Sequence, residues 1–148
     1  MKYFLLLSFS ILGFTSSQNS CTPKEQAVIT NVTKEDLLGK WQWVLSRQER
    51  RGSGTTETTP GDLGKTMQIE FLGDEKLQVF HDGKMVTSNT YELTGVDTDN
   101  QTMLRVETTD PDINPNCESG PLYLQGKRLT ISGGFNDAGS TQIFEKMH

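Results

Sequence analysis

The amino-acid sequence predicts an all-β fold, a small antiparallel up-and-down barrel of about eight strands with a short N-terminal helix. Three observations carry this reading. From Trp41 onward, apolar residues recur at every second position in short runs. The breaks between runs are Gly- and Asp-rich turns. Beyond Gly39 no segment has apolar residues at helical spacing over several turns.

The chain opens differently from the rest. Lys2 supplies a positive charge, Tyr3 to Phe14 is an almost unbroken apolar run, and Thr15-Ser16-Ser17 follow. This is the layout of a secretory signal peptide over residues 1–20. The run is shorter than the roughly 20 apolar residues needed to span a bilayer. The expected destination is therefore the periplasm or outer membrane of a bacterium, or the medium.

Cys21 has two mutually exclusive fates. Ser20 before it suits a bacterial lipobox, although Gln18 and Asn19 replace the usual aliphatic and small residues. Acylation would hold the protein on a membrane surface without spanning it. Otherwise Cys21 and Cys117, the two cysteines of the chain, are free to form a disulfide in an oxidising compartment.

Residues 21–36 read as a tether followed by a helix start. Thr33 and Asp36 have the spacing of a capping box, opening a short helix through Leu37 and Leu38 that Gly39 ends. Residues 37–148 form the barrel domain. Trp41, Trp43 and Leu45 alternate with polar neighbours, as do Met67, Ile69 and Phe71, then Leu77 and Val79. Tyr91 and Leu93, Leu104 and Val106, Leu122 and Leu124, Leu129 and Ile131, and the stretch around Ile143 continue the pattern. Asp82-Gly83 is a tight hairpin signal, and Gly73-Asp74 and Gly126-Lys127 are similar. Strands this close, with no helix between them, pair antiparallel.

In an up-and-down barrel successive connections alternate between the two ends. One end then collects residues 52–64, 82–83, 109–119 and 133–140, and the other collects 73–76, 94–102 and 126–128. The first end is loop-rich and forms the mouth, with 52–64 expected as a flexible flap.

Assigning the apolar parity to the interior lines the closed end with Trp41, Phe71, Leu77, Leu93, Leu104, Leu124, Leu129 and Ile143. Trp41, Trp43 and Phe71 form the floor. The same parity carried upward places Arg47, Glu49, Lys65, His81, Asn89, Thr108 and Thr141 around the mouth. Such a pocket would hold an apolar tail deep and a polar or anionic head near Arg47 and Lys65. The alternative is a barrel filled by its own side chains, since an eight-stranded barrel is only just wide enough for them, presenting its long loops to an envelope protein.

Gly39-Lys40-Trp41, placed just after a short helix, resembles the G-x-W signature of lipocalins. Leu38 to Trp43, Pro60 to Phe71, Asp82-Gly83-Lys84, Tyr91-Glu92-Leu93 and Ile143 to Lys146 are similar to the lipocalin-like domain proteins of Bacteroidetes envelopes. The resemblance covers residues 37 to 146. It implies a barrel floor closed by Trp41, with Lys146 in place of the family's closing Arg and its stem packed on Trp41. The family's second motif, a Thr-Asp-Tyr type turn, is not present at the corresponding place.

Other chemistry finds little support. The histidines are His81 and the terminal His148, too few to build a zinc site without cysteines beside them. There is no nucleophile elbow, P-loop or dinucleotide fingerprint. Asp110 to Glu118 spaces oxygen ligands like the start of a calcium loop, but Pro115 stands where Gly is needed and no acid closes it, so it reads as a connector. A net charge of −5, with Arg47, Arg50 and Arg51 the densest basic group, excludes a nucleic-acid surface. The expectation is a non-enzymatic binding protein without cofactor or metal, whose partner is a small hydrophobic or amphipathic molecule.

Overall fold

The computed structural model describes residues 28–50, 52, 54–96, 101–107, 119–133 and 139–148. The leader, Cys21, Thr108, the stretch Asp110 to Glu118 and Cys117 lie outside the described residues.

The elements in order are α1 (Lys34–Leu37), β1 (Gly39–Arg50), β2 (Gly54–Thr58), α2 (Pro60–Leu63), β3 (Met67–Phe71), β4 (Lys76–His81), β5 (Lys84–Val96), β6 (Gln101–Glu107), β7 (Gly120–Gln125), β8 (Arg128–Gly133) and β9 (Ser140–Lys146). Neighbouring strands pair antiparallel, and β1 pairs with β9 to close the sheet. The result is a closed eight-stranded barrel of β1 and β3 to β9, with β2 as an added ninth strand. The Asp82-Gly83 turn joins β4 to β5 with positive φ at both residues, 49° and 77°, as a primed hairpin turn requires.

Trp41, Ile69, Phe71, Leu77, Val79, Leu104, Leu122, Leu129, Ile131 and Phe144 are fully buried in one core. Phe71 meets Tyr91 edge to face, with ring centroids 5.1 Å apart. The floor is closed by α1. Both capping-box bonds of Thr33 and Asp36 form. The helix carries Leu37 into the core, and the Leu37 carbonyl accepts a 2.6 Å hydrogen bond from Trp41 Nε1. Lys146 Nζ lies 5.0 Å from the centre of the Trp41 ring and donates to the Asp36 carbonyl at 3.0 Å.

Four sequence expectations are corrected. First, β1 carries a bulge between Trp43 and Leu45, where its register against β9 shifts by one residue. Trp43 faces inward opposite Phe144, whereas Leu45 lies opposite Ile143 on the outer face. Arg47 and Glu49 therefore point outward, and Ser46 and Gln48 take the inward parity. Second, Phe144 rather than Ile143 is the inward residue of β9. Phe144 is opposite Leu129, and Ile143, though only 8% exposed, does not belong to the core cluster.

Third, much of the expected flap is regular structure. The Thr-rich segment Gly54–Thr58 pairs with Ser46–Arg50 of β1. Thr59 and Asp62 then build a second capping box with Pro60 at the start of α2. Fourth, the latter part of the tether belongs to the barrel wall. Strands β6 and β7 pair only at Met103–Pro121 and Leu104–Gly120. Pro121 has no N–H to offer the ladder. The gap below is filled by residues 29–32. Ile29 and Leu124 exchange backbone hydrogen bonds of 2.7 and 2.9 Å, Thr102 N–H donates to the Thr30 carbonyl at 2.8 Å, and Thr102 Oγ1 donates to the Val32 carbonyl at 3.0 Å.

Candidate functional site

Below the bulge, β1 pairs with β3, the last partners being Gln42 and Gln68. Above it, from Ser46 onward, the same edge of β1 pairs with β2. The two strands on that edge leave a space between them at the barrel mouth. A cavity of about 260 Å³ lies there, lined by Trp43, Ser46, Leu63, Lys65, Thr66, Met67, His81 and Gln142.

Each wall has a local cause. Trp43 and Met67 are inward residues of β1 and β3, and they form the cavity's apolar base. Trp43 Nε1 donates a 2.9 Å hydrogen bond to Ser46 Oγ across the bulge. Ser46 faces Gln142 of β9 directly in register. Gln142 Oε1 is buried without a hydrogen-bond partner. Leu63 reaches the cavity from α2, and it is 55% exposed. That short helix is held by Thr59 N–H and Thr59 Oγ1, both donating to Asp62 Oδ2 at 2.7 Å. These bonds, the hydroxyl first, hold the Asp62 carboxyl below its ordinary pKa.

The far rim is pinned by the β4–β5 turn. Thr66 N–H donates to Asp82 Oδ1 at 2.8 Å, and Asp82 N–H donates to the Thr66 carbonyl at 3.0 Å. The Thr66 N–H is the main reason the Asp82 carboxyl is held below its ordinary pKa, with burial acting against it. His81 lies opposite Met67 in register and completes this side, with exposed Lys65 at the edge.

Of the residues expected at the mouth, Lys65 and His81 do meet at the cavity. Arg47 and Thr141 are direct partners on the outer face, and Arg47 Nε makes a 2.7 Å ion pair with Glu57 Oε1 of β2. The reason is the bulge, which reverses the parity of β1 above Trp43. Asn89 does face inward, opposite Leu77, and is 5% exposed, but it does not line this cavity. Its Oδ1 accepts from Thr87 Oγ1 at 3.3 Å, and its Nδ2 has no partner. Of the expected floor, Trp41 and Phe71 are fully buried, while Trp43 stands one layer higher and lines the cavity.

Ser46, Gln142, Thr66 and Leu63 were not legible as site residues. The first two depend on the bulge and on which of Ile143 and Phe144 turns inward. The Thr59–Asp62 spacing with Pro60 between is the signal that would have located α2 and Leu63.

Among the described residues, no three His, Cys, Asp or Glu side chains gather as a metal site would need. Among them too, no helix is long and apolar enough to cross a membrane. No family model matches the chain, and neither a curated protein nor a solved structure does.

Proposed function

We propose that this chain is an exported, non-enzymatic, lipocalin-like protein that holds one small, compact molecule in the mouth of its barrel. The observation that carries the reading is the cavity itself, with an apolar base of Trp43 and Met67 and a polar side of Ser46, Thr66 and Gln142. A few placed polar groups over an apolar lining are what a small-molecule site requires. These groups hold and orient a guest. The Lys146 side chain over Trp41, where the resemblance puts a closing cation, supports the lipocalin-like assignment.

The guest is short. Below Trp43 the barrel is packed with Trp41, Ile69, Val79 and Phe144, all fully buried, so an extended acyl tail has no channel to enter. This replaces the deep-tail arrangement expected from alternation alone. Arg47 is engaged by Glu57 outside the barrel, and Lys65 and His81 line the rim of the cavity.

Toluene titration followed by NMR of the Met67 methyl and Trp43 indole tests the binding. The expected result is saturable shifts at both residues, with palmitate producing none. Signals that stay still up to the solubility limit of toluene would refute it. Intact mass of the protein isolated from its own envelope tests export. A mature chain lacking residues 1–20 is expected, and the same spectrum separates acylated Cys21 from a Cys21–Cys117 disulfide. A retained leader would overturn the export reading.

A further inference from the structure

We propose that the outer edge of β2 is a contact between two copies of this chain, in which Thr55 to Glu57 of each copy pair antiparallel about a twofold axis at Thr56. The proposal is independent of the cavity and its guest.

The first argument is where the backbone groups of β2 point. Glu49 N–H donates to the Gly139 carbonyl at 2.8 Å, on the β9 side of β1. Along a strand, successive residues turn these groups to opposite edges. Ser46, Gln48 and Arg50 therefore bond toward β2, where their register partners are Thr58, Thr56 and Gly54. Thr55 and Glu57 lie between those pairs, so their N–H and C=O groups point away from β1. Among the described residues no strand pairs with β2 on that side. Gly54 to Glu57 are exposed. Thr59 N–H is already taken by Asp62 Oδ2 at 2.7 Å, and this ends the usable edge.

The second argument is what this edge lacks. Sheet edges are commonly guarded by lysine, proline or a bulge. Strand β2 is Gly-Thr-Thr-Glu-Thr, and its register against β1 is unbroken. Its one charged side chain, Glu57, is paired with Arg47 of β1. Threonine favours the extended chain.

The third argument is self-complementarity. With the axis at Thr56, Thr55 of one copy stands opposite Glu57 of the other, and both such pairs exchange N–H and C=O bonds. Thr56 meets Thr56, a pairing that stabilises adjacent strands. No like charges stand directly opposite. The two Glu57 side chains lie on a diagonal, each held by its own Arg47. A twofold contact uses the same strand of both copies and closes at a pair instead of growing into a fibre. So short a contact falls below the roughly 1,200 Å² of stable complexes, so the dimer is a reversible one.

Sedimentation equilibrium of the mature full-length chain under reducing conditions, from about 10 μM to about 1 mM, is the test. The expected result is a mass that rises with concentration from monomer toward dimer. Glu57→Pro removes an N–H that the β1–β2 ladder does not use, so the variant should keep the parent's circular dichroism and stay monomeric throughout. Thr56→Cys locates the contact. Its two copies would face each other about 4.5 Å apart at Cα, within disulfide range, so mild oxidation should give a dimer that peptide mapping shows linked through residue 56. Thr55→Cys, about 7–8 Å from its copy on the diagonal, should link far less. A parent chain that stays monomeric at the highest concentration would overturn the proposal and leave the edge to a strand of another protein. A folded Glu57→Pro that still dimerises would overturn it by placing the contact elsewhere. Should Glu57→Pro fail to fold, the cysteine pair decides: no link through residue 56, or equal linking at 55 and 56, overturns it.

Discussion

Replacing Lys146 by Met tests how the barrel floor is held shut. The ammonium makes two contacts, 5.0 Å from the Trp41 ring centre and 3.0 Å from the Asp36 carbonyl. A cation over an aromatic face contributes about 0.5–2 kcal/mol depending on desolvation. A hydrogen bond from a charged donor contributes about 1.5–3 kcal/mol. Met keeps most of the stem that covers Trp41, so packing is nearly conserved. Lys146 is half-buried, which takes both contacts toward the lower ends of their ranges. The expected loss is about 1.5–3 kcal/mol in urea unfolding with an unchanged slope. Lys146→Arg preserves the charge and the stacking and should cost under about 0.5 kcal/mol. A double-mutant cycle with Trp41→Phe should return a coupling of about 0.5 kcal/mol or more. Lys146→Met within about 0.3 kcal/mol of the parent would refute the reasoning, because the floor would then be held by apolar packing alone.

Gly120→Ala should destabilise by more than about 3 kcal/mol or prevent folding, since a Cβ there would stand 1.7 Å from the Ser132 carbonyl oxygen and could be accommodated only by parting β7 from β8. Thermal unfolding by circular dichroism checks it. Arg47→Ala should change stability by less than about 0.5 kcal/mol and leave toluene binding as it was, because its ion pair with Glu57 is on the exposed outer face. A large loss of binding would place Arg47 inside after all. Acid should unfold the protein through its helix caps and the β4–β5 turn. Asp36, held low chiefly by the Thr33 N–H, together with Asp62 and Asp82, titrates below the ordinary aspartate value of 3.8 in the folded chain. The stabilisation from these groups is complete above that value and is lost as the pH falls through the lowered folded values. Urea midpoints flat between pH 6 and 4 and falling below should be seen, and Asp36→Asn should flatten the fall.

The parts of this fold that the sequence makes legible are those decided by neighbouring residues. Alternation located the eight barrel strands, Asp82-Gly83 located a turn, and Thr33 with Asp36 located α1 and both its capping bonds. What escaped depends on partners far along the chain. The bulge at Val44 inserts one ordinary residue into a strand and leaves no compositional mark, yet it turns Arg47 out and Ser46 in. Ile143 and Phe144 are both apolar, so alternation cannot say which is inward until Leu129 and Leu45 are set beside them. Residues 29–32 lack periodicity because they fill a gap in the wall instead of forming a long strand. Lys65 and His81 line the cavity, His81 because β3 and β4 pair without a shift from Phe71–Leu77 to Met67–His81, and Lys65 because it lies two residues before β3.

The insertion of residues 29–32 between β6 and β7 bears on the order of assembly. Ile29 is among the first of the described residues to leave the ribosome, yet its partner Leu124 arrives only when most of the cylinder has been made. The joint between β1 and β9 likewise waits for the last strand of the barrel. Contacts so distant in sequence make for slow folding. The chain can therefore complete its wall only once β9 has been made, whatever order the other strands form in.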